Sequence, residues 1–249
     1  MKEHRSPSLD KLSDAWSYER QANRSLLTEA AVRSQFDHSA AFYRSLIEAY
    51  LPRNLDEYLL DVPCGEGGFL YVLRQLGYTC CKGYDIDLAR LQVASRLQLP
   101  VFAGDAFEAL GSHADSSVGG CISMDFLEHL EKGDAIRFIE LVRDKLKPRG
   151  VFVVRTPCAD GPFGCRHIFN DFTHKWAATS GVLRQLLTGA GFAGVTILGE
   201  EPRWAMRFGW IRVPCFRISR AIANGFLRCL GVGPIQIWSS SMWGVGFKP

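Results

Sequence analysis

From about residue 57 onward, two hydrophobic periods alternate along this chain, and that alternation leaves few folds open to it. Short apolar runs at residues 58–62, 79–84, 100–103, 118–124, 151–155, 195–198 and 242–247 read as buried strands. Between them lie helical patterns. Phe69, Val72, Leu73 and Leu76 recur at i, i+3, i+4 and i+7 before Gly77, and residues 88–97 form a second helix. Ala135, Phe138, Ile139, Val142 and Leu146 line a third, stopped by Lys147-Pro148-Arg149-Gly150. Leu183, Leu186, Leu187 and Ala190 line a fourth, with Ser180 as its N-cap and Gly191 at its end. Strands and helices in strict alternation predict a doubly wound, Rossmann-like α/β domain, a mostly parallel sheet with helices on both faces.

Hydrophobic residues make up 47% of the 249 positions and aromatics 12%, enough for a full core and against disorder. Residues 1–54 read as a polar helical segment, 55–249 as the α/β domain, and 200–238 as an insertion between the last two strands. The opening MKEHRSPSLDKLSD lacks the apolar run of a secretory signal, and no run reaches the ~18 apolar residues of a spanning helix. The expectation is a cytoplasmic chain. Eight cysteines without a C-x-x-C pair fit that compartment, as small hydrophobes rather than disulfides or zinc ligands.

Asp61-Val62-Pro63-Cys64-Gly65-Glu66-Gly67-Gly68 joins the first strand to the first helix. Its glycines remove Cβ atoms where a ligand would approach backbone amides at a helix N-terminus. Asp85 ends the second strand about 24 residues beyond Asp61, where a carboxylate accepts from both ribose hydroxyls of a nucleoside. Asp87 reads as the N-cap of the next helix.

Leu-Asp-Val-Pro-Cys-Gly-Glu-Gly, ending at Gly67, resembles motif I of the class I S-adenosylmethionine-dependent methyltransferases. Gly83-Tyr84-Asp85 resembles their ribose-binding acid, and Gly104-Asp105-Ala106 the loop at the adenine edge. Ser123-Met124-Asp125-Phe126-Leu127-Glu128-His129-Leu130 is similar to the fourth-strand segment of the ubiquinone-methyltransferase-like branch, and Leu146-Lys147-Pro148-Arg149-Gly150 to the turn before strand five. The resemblance, over about residues 55–200, implies seven strands with the last antiparallel. It also implies S-adenosylmethionine as cofactor, held by Asp61, Cys64, Gly65, Gly67, Asp85, Ile86, Asp105, Ala106 and Met124. Two departures stand out: Pro63 occupies the place of the first glycine and has no N–H to donate, and Arg149 replaces another glycine.

Methyl transfer from a sulfonium needs alignment and exclusion of water, and a hydroxyl acceptor also needs a base. His129 after strand four and His174 after strand five are the candidates, with Asp171 placed to orient His174. His167, Asp171 and His174 also offer metal ligands, but their pattern is no metal signature and no metal is expected. Residues 170–192 and the Arg- and Trp-rich extension resemble methyltransferases of bacterial polysaccharide biosynthesis, which implies an oxygen of a saccharide, nucleotide- or lipid-linked, as acceptor. A quinone- or natural-product-type methyltransferase is the alternative within enzymes. A non-catalytic binding module, which Pro63 would suit, is the alternative outside them.

Beyond Glu201 there is no acidic residue, and the seven basic ones give that tail +7 against −4 for the rest. If residues 216–230 are helical, Arg217, Arg220, Asn224 and Arg228 form one polar stripe. Three readings are open: a lid whose arginines hold acceptor phosphates, a helix lying on the inner face of an anionic membrane, or plain packing. No nucleic-acid-binding motif is present.

Overall fold

The computed structural model describes residues 28–161, 164–201, 208–231 and 233–249, leaving aside the His38 side chain. Seven strands form one sheet: β1 (Leu59–Asp61), β2 (Cys81–Asp85), β3 (Val101–Ala103), β4 (Val118–Met124), β5 (Leu146–Pro157), β6 (Ala193–Gly199) and β7 (Ser241–Phe247), in the order β3-β2-β1-β4-β5-β7-β6. The first five in that row run parallel, while β7 lies antiparallel between β5 and β6. This is the doubly wound sheet, with its last strand antiparallel, that the sequence predicts.

The helices are α1 (Glu29–Tyr50), α2 (Gly68–Gln75), α3 (Leu88–Arg96), α4 (Ala106–Gly111), α5 (Lys132–Lys145), α6 (Gly164–Phe169), α7 (Ser180–Gly189) and α8 (Gly209–Cys229). Adjacent residues of β1 point to opposite faces. Leu59 joins the layer built by α1, α2 and α3, and Leu60 the layer built by α4, α5 and α7. In the first layer Trp243 of β7 is fully buried, its ring 5.5 Å from Phe42 and 5.8 Å from Tyr43 of α1. Helix α1 therefore packs directly on the sheet at β7 rather than standing off it.

Local chemistry sets the element ends. Asp87 caps α3 as expected, accepting from the amides of Ala89 and Arg90. The cap of α7 is Thr179, not Ser180: its hydroxyl accepts from the Val182 amide, so Ser180 becomes the first helical residue. The predicted turn at 147–150 is the start of β5, a strand irregular opposite Val118 and Gly120. Arg149 sits there at φ +64°, the left-handed geometry in which glycine is unstrained. Cys64, Cys81, Cys121 and Cys158 are buried, and Cys80, Cys165, Cys215 and Cys229 are exposed.

The tail differs in detail. Helix α8 begins at Gly209, earlier than the pattern indicated. Residues 1–27 of the predicted N-terminal segment, together with Arg203, Trp204 and Arg207, lie outside the described residues. Among the described residues no helix is long and apolar enough to cross a membrane.

Candidate functional site

The strand order reverses between β1 and β4, and in open α/β sheets a crevice forms beyond the carboxyl ends of the strands at such a point. A cleft of about 410 Å³ lies there. Pro63, Cys64, Gly65 and Glu66 follow β1 into its floor, with Met124 and Asp125 from the end of β4. Gln35, Phe36, Ser39 and Tyr43 of α1 form the roof, and Glu128, His129, His167, Asn170, Asp171 and His174 form the far wall.

The glycine loop works through space rather than free amides. Gly65 and Gly67 sit at φ +54° and +79°, so both need left-handed backbone. The amide of Cys64 bonds to the Tyr84 carbonyl, that of Gly65 to Asp85 Oδ2 at 2.7 Å, and that of Gly67 to the Cys64 carbonyl. These three donors, expected to face a ligand, are spent on partners in β2 and in the loop itself. The Asp85 carboxylate is buried and also takes the Asp87 amide on Oδ1 at 2.8 Å, which fixes its plane and leaves further lone pairs open.

Behind the loop, Asp61 is fully buried and neither carboxylate oxygen has a partner. Burial, and after it the charge of Asp85, pushes its pKa well above the usual carboxylate range. Of the other predicted donor-side residues, Cys64, Gly65 and Met124 border the cleft. Ile86 is 72% exposed beyond the end of β2, and Asp105 is exposed beyond β3, where it caps α4 through Phe107 and Glu108. Ala106 is buried beside it.

On the far wall, the structure brings His129 and His174 together, ring centroids 4.7 Å apart. His174 Nδ1 is held at 2.8 Å by the Ile168 carbonyl, so that carbonyl orients the ring in the way predicted for Asp171. Asp171 serves the other histidine: the Thr173 hydroxyl donates to Asp171 Oδ1 at 2.6 Å and lies 2.9 Å from His129 Nδ1. Burial, then the neighbouring His174, pushes the His129 imidazole below its ordinary value.

Sequence reasoning passed over Glu128, quoting it only as part of a motif. Its side chain is buried; Oε2 accepts from the Thr156 hydroxyl at 3.0 Å, and Oε1 has no hydrogen-bond partner and lies 4.0 Å from His174 Nε2. Burial, then the charge of Asp125, pushes this carboxyl up to about 8. The signal that could have found it is an acid directly before a histidine at the end of a buried strand. The α1 residues on the roof were missed because nothing in the sequence ties that helix to the cleft.

Helix α8 contributes no described residue to the cleft lining. Arg220 instead holds Glu201 through two contacts of 2.9 and 3.0 Å, and Asn224 exchanges two hydrogen bonds with Ile235. Two members of the polar stripe, Arg220 and Asn224, thus fasten the helix to the body, while Arg217 and Arg228 are exposed. The apolar side faces out, with Ile218, Ile222, Phe226 and Leu230 each at least 60% exposed.

A family model described as "Methyltransferase domain" matches residues 33–217. The comparison with curated proteins yields no match. Among solved structures, a SAM-dependent methyltransferase from Archaeoglobus fulgidus aligns at TM-score 0.68 and 21% identity, over 86% of this chain and 94% of that one. An S-adenosylmethionine-dependent methyltransferase from Mesorhizobium loti aligns at 0.56 and 17%, over 85% and 99%. The phosphoethanolamine N-methyltransferase 2 of Haemonchus contortus, with S-adenosyl-L-methionine, aligns at 0.59 and 14%, over 89% of this chain and 57% of that longer one. At these identities the likeness is one of fold, and the family match covers most of the chain. The chain belongs to the methyltransferase-domain family, a methyltransferase built on the class I S-adenosylmethionine-dependent fold.

Proposed function

We propose that this methyltransferase moves the methyl group of S-adenosylmethionine to a hydroxyl oxygen of a saccharide, free or carried on a nucleotide or lipid. The observation that carries the reading is the far wall of the cleft, where Glu128, His129, His167, Asn170, Asp171 and His174 are all polar. A polyhydroxylated acceptor finds hydrogen-bond partners on such a wall, whereas a quinone ring calls for an apolar one.

The donor brings a methyl group already activated on a sulfonium. Asp85 suits its ribose, because two backbone amides hold the carboxylate in place while lone pairs remain for hydroxyls. Asp61 suits its positive charge, since a buried carboxylate without a partner gains from a nearby cation. In this reading Cys64, Gly65, Gly67 and Met124 border the donor, with Ile86, Asp105 and Ala106 at its adenine edge. On the acceptor side, His174 or His129 takes the hydroxyl proton on Nε2, the ring nitrogen left free by the Nδ1 contacts.

The outward apolar arc of α8 supports a lipid-linked acceptor. Ile211, Ile218, Ile222 and Phe226 are exposed, Arg212, Arg217 and Arg228 are exposed beside them, and the acid-free tail suits anionic headgroups. The test is methylation of nucleotide sugars, free oligosaccharides and lipid-linked glycans with labelled S-adenosylmethionine, alongside hydroxylated quinones. Label in a glycan supports the proposal; label in quinones alone overturns it.

A further inference from the structure

Three side chains on the acceptor wall turn their lone pairs toward one another. One ligand atom each from Glu128, His129 and His174 lies within 4.8 Å of the other two. The partners behind them decide which atoms these are. The single Thr173 hydroxyl proton goes to Asp171 Oδ1 at 2.6 Å, so toward His129 the Thr173 oxygen can only accept, and His129 carries its proton on Nδ1. The Ile168 carbonyl is also only an acceptor, so His174 carries its proton on Nδ1 as well. Both Nε2 atoms are therefore lone pairs. Facing them is Glu128 Oε1, on a side chain 1% exposed, with no hydrogen-bond partner, while Thr156 holds the other oxygen.

With both rings neutral, neither Nε2 has a proton to offer Glu128 Oε1, which lies 4.0 Å from His174 Nε2. A cation satisfies all three at once. Two neutral imidazoles and one carboxylate, each fixed by a hydrogen bond behind it, are the donor set and the supporting shell of a divalent transition-metal site with open positions. We propose that Glu128, His129 and His174 bind one divalent cation of the Zn²⁺, Fe²⁺ or Co²⁺ type, whose open positions face the cleft and take the acceptor hydroxyl. This departs from the expectation of a metal-free site, and from the set of His167, Asp171 and His174 considered on sequence.

The site deepens the proposed transfer to oxygen and takes over the task assigned there to a free imidazole. An acceptor hydroxyl drawn to the cation gives up its proton to solvent at the cleft mouth more readily. Its oxygen pair then forms the bond to the donor methyl carbon, and the carbon–sulfur pair returns to sulfur, leaving a neutral thioether and a methyl ether.

The test uses the full chain stripped with chelator and titrated with Co²⁺, followed by visible absorption and equilibrium dialysis, with no acceptor present. About one Co²⁺ per chain is expected, lost in Glu128→Gln and in His174→Ala, with circular dichroism confirming that both fold. Thr173→Val keeps every ligand but removes the support of His129, and should weaken Co²⁺ binding about 10- to 100-fold. Failure of the wild type to bind Co²⁺, or equal binding by folded Glu128→Gln, overturns the site. Because the readout is metal binding, it stands or falls separately from the acceptor: label in quinones alone would remove the saccharide and leave the cation.

Discussion

Arg155 of β5 grips Asp125 at the end of β4 with two hydrogen bonds, Nε to Oδ1 at 2.9 Å and Nη2 to Oδ2 at 2.6 Å. Asp125 is held at φ +50°, and from it the chain turns toward Glu128 and His129. On its other side Arg155 reaches Glu200 at 3.5 Å, which also accepts from the Trp243 indole at 2.7 Å. A lysine cannot reproduce the forked contact, so Arg155→Lys should loosen the wall of the cleft while keeping the charge. Arg155→Ala also leaves two carboxylates facing one another, and should lower unfolding free energy by about 2 kcal/mol in urea titration.

Asp85→Ala should weaken S-adenosylmethionine by about 1.5–3 kcal/mol, the cost of losing hydrogen bonds to a charged group. The Gly65 and Asp87 amides lose their acceptor at the same time, so Asp85→Asn is the milder comparison. Calorimetry on both variants checks this, and unchanged affinity in folded Asp85→Ala would remove the residue from the donor site.

Asp61 should make the unliganded protein less stable as pH rises. Its folded pKa lies well above the ordinary 3.8, so the unfolded chain gives up this proton first, and its contribution erodes upward from about pH 4. The erosion reaches at most about 1.4 kcal/mol per pH unit while the folded carboxyl stays protonated. Asp61→Asn should therefore raise the melting temperature more at pH 8 than at pH 5.5, and weaken donor binding. An equal gain at both values would show that the carboxyl is ordinary.

His174→Ala or His129→Ala should lower kcat by about 100-fold or more, whether the ring serves as base or as ligand. Donor affinity should stay within about 0.5 kcal/mol of the wild type, because neither ring is part of the proposed donor site. Near-normal turnover in both variants would mean that an acceptor needing no base, such as an amine, is the substrate.

Ile222→Asp together with Phe226→Asp should abolish sedimentation with anionic vesicles and leave thermal stability unchanged, since both side chains are exposed. Replacing Arg212, Arg217 and Arg228 by Gln should weaken the same binding by about 1 kcal/mol per residue. Sedimentation that survives the double Asp variant would assign the arc to another contact.

The strands and the glycine loop were legible because each is a local pattern: a β-branched run, a period of 3.6, glycines where backbone turns left-handed. Asp87 as a cap was legible for the same reason. Glu128 was not, since its side chain is held by Thr156 from β5 and its meaning comes from His174 in a loop 46 residues on. The α8 stripe shows the opposite trap. Arg220 and Asn224 read as part of a lid, a membrane face or plain packing, yet Glu201 and Ile235, distant partners that no helical wheel displays, hold these two side chains to the body.

Helix α1 belongs to two parts of the molecule at once. Val32, Leu46 and Ile47 are buried in the central layer, while Gln35 and Ser39 of the same helix roof the cleft. A hinged cover opens and shuts at little cost, but this roof cannot rise without pulling aromatic rings off Trp243. An anchored roof gives bound ligands a fixed surface, so differences in ligand size fall to the loop that carries His167, Asn170 and Asp171 on the other side of the cleft.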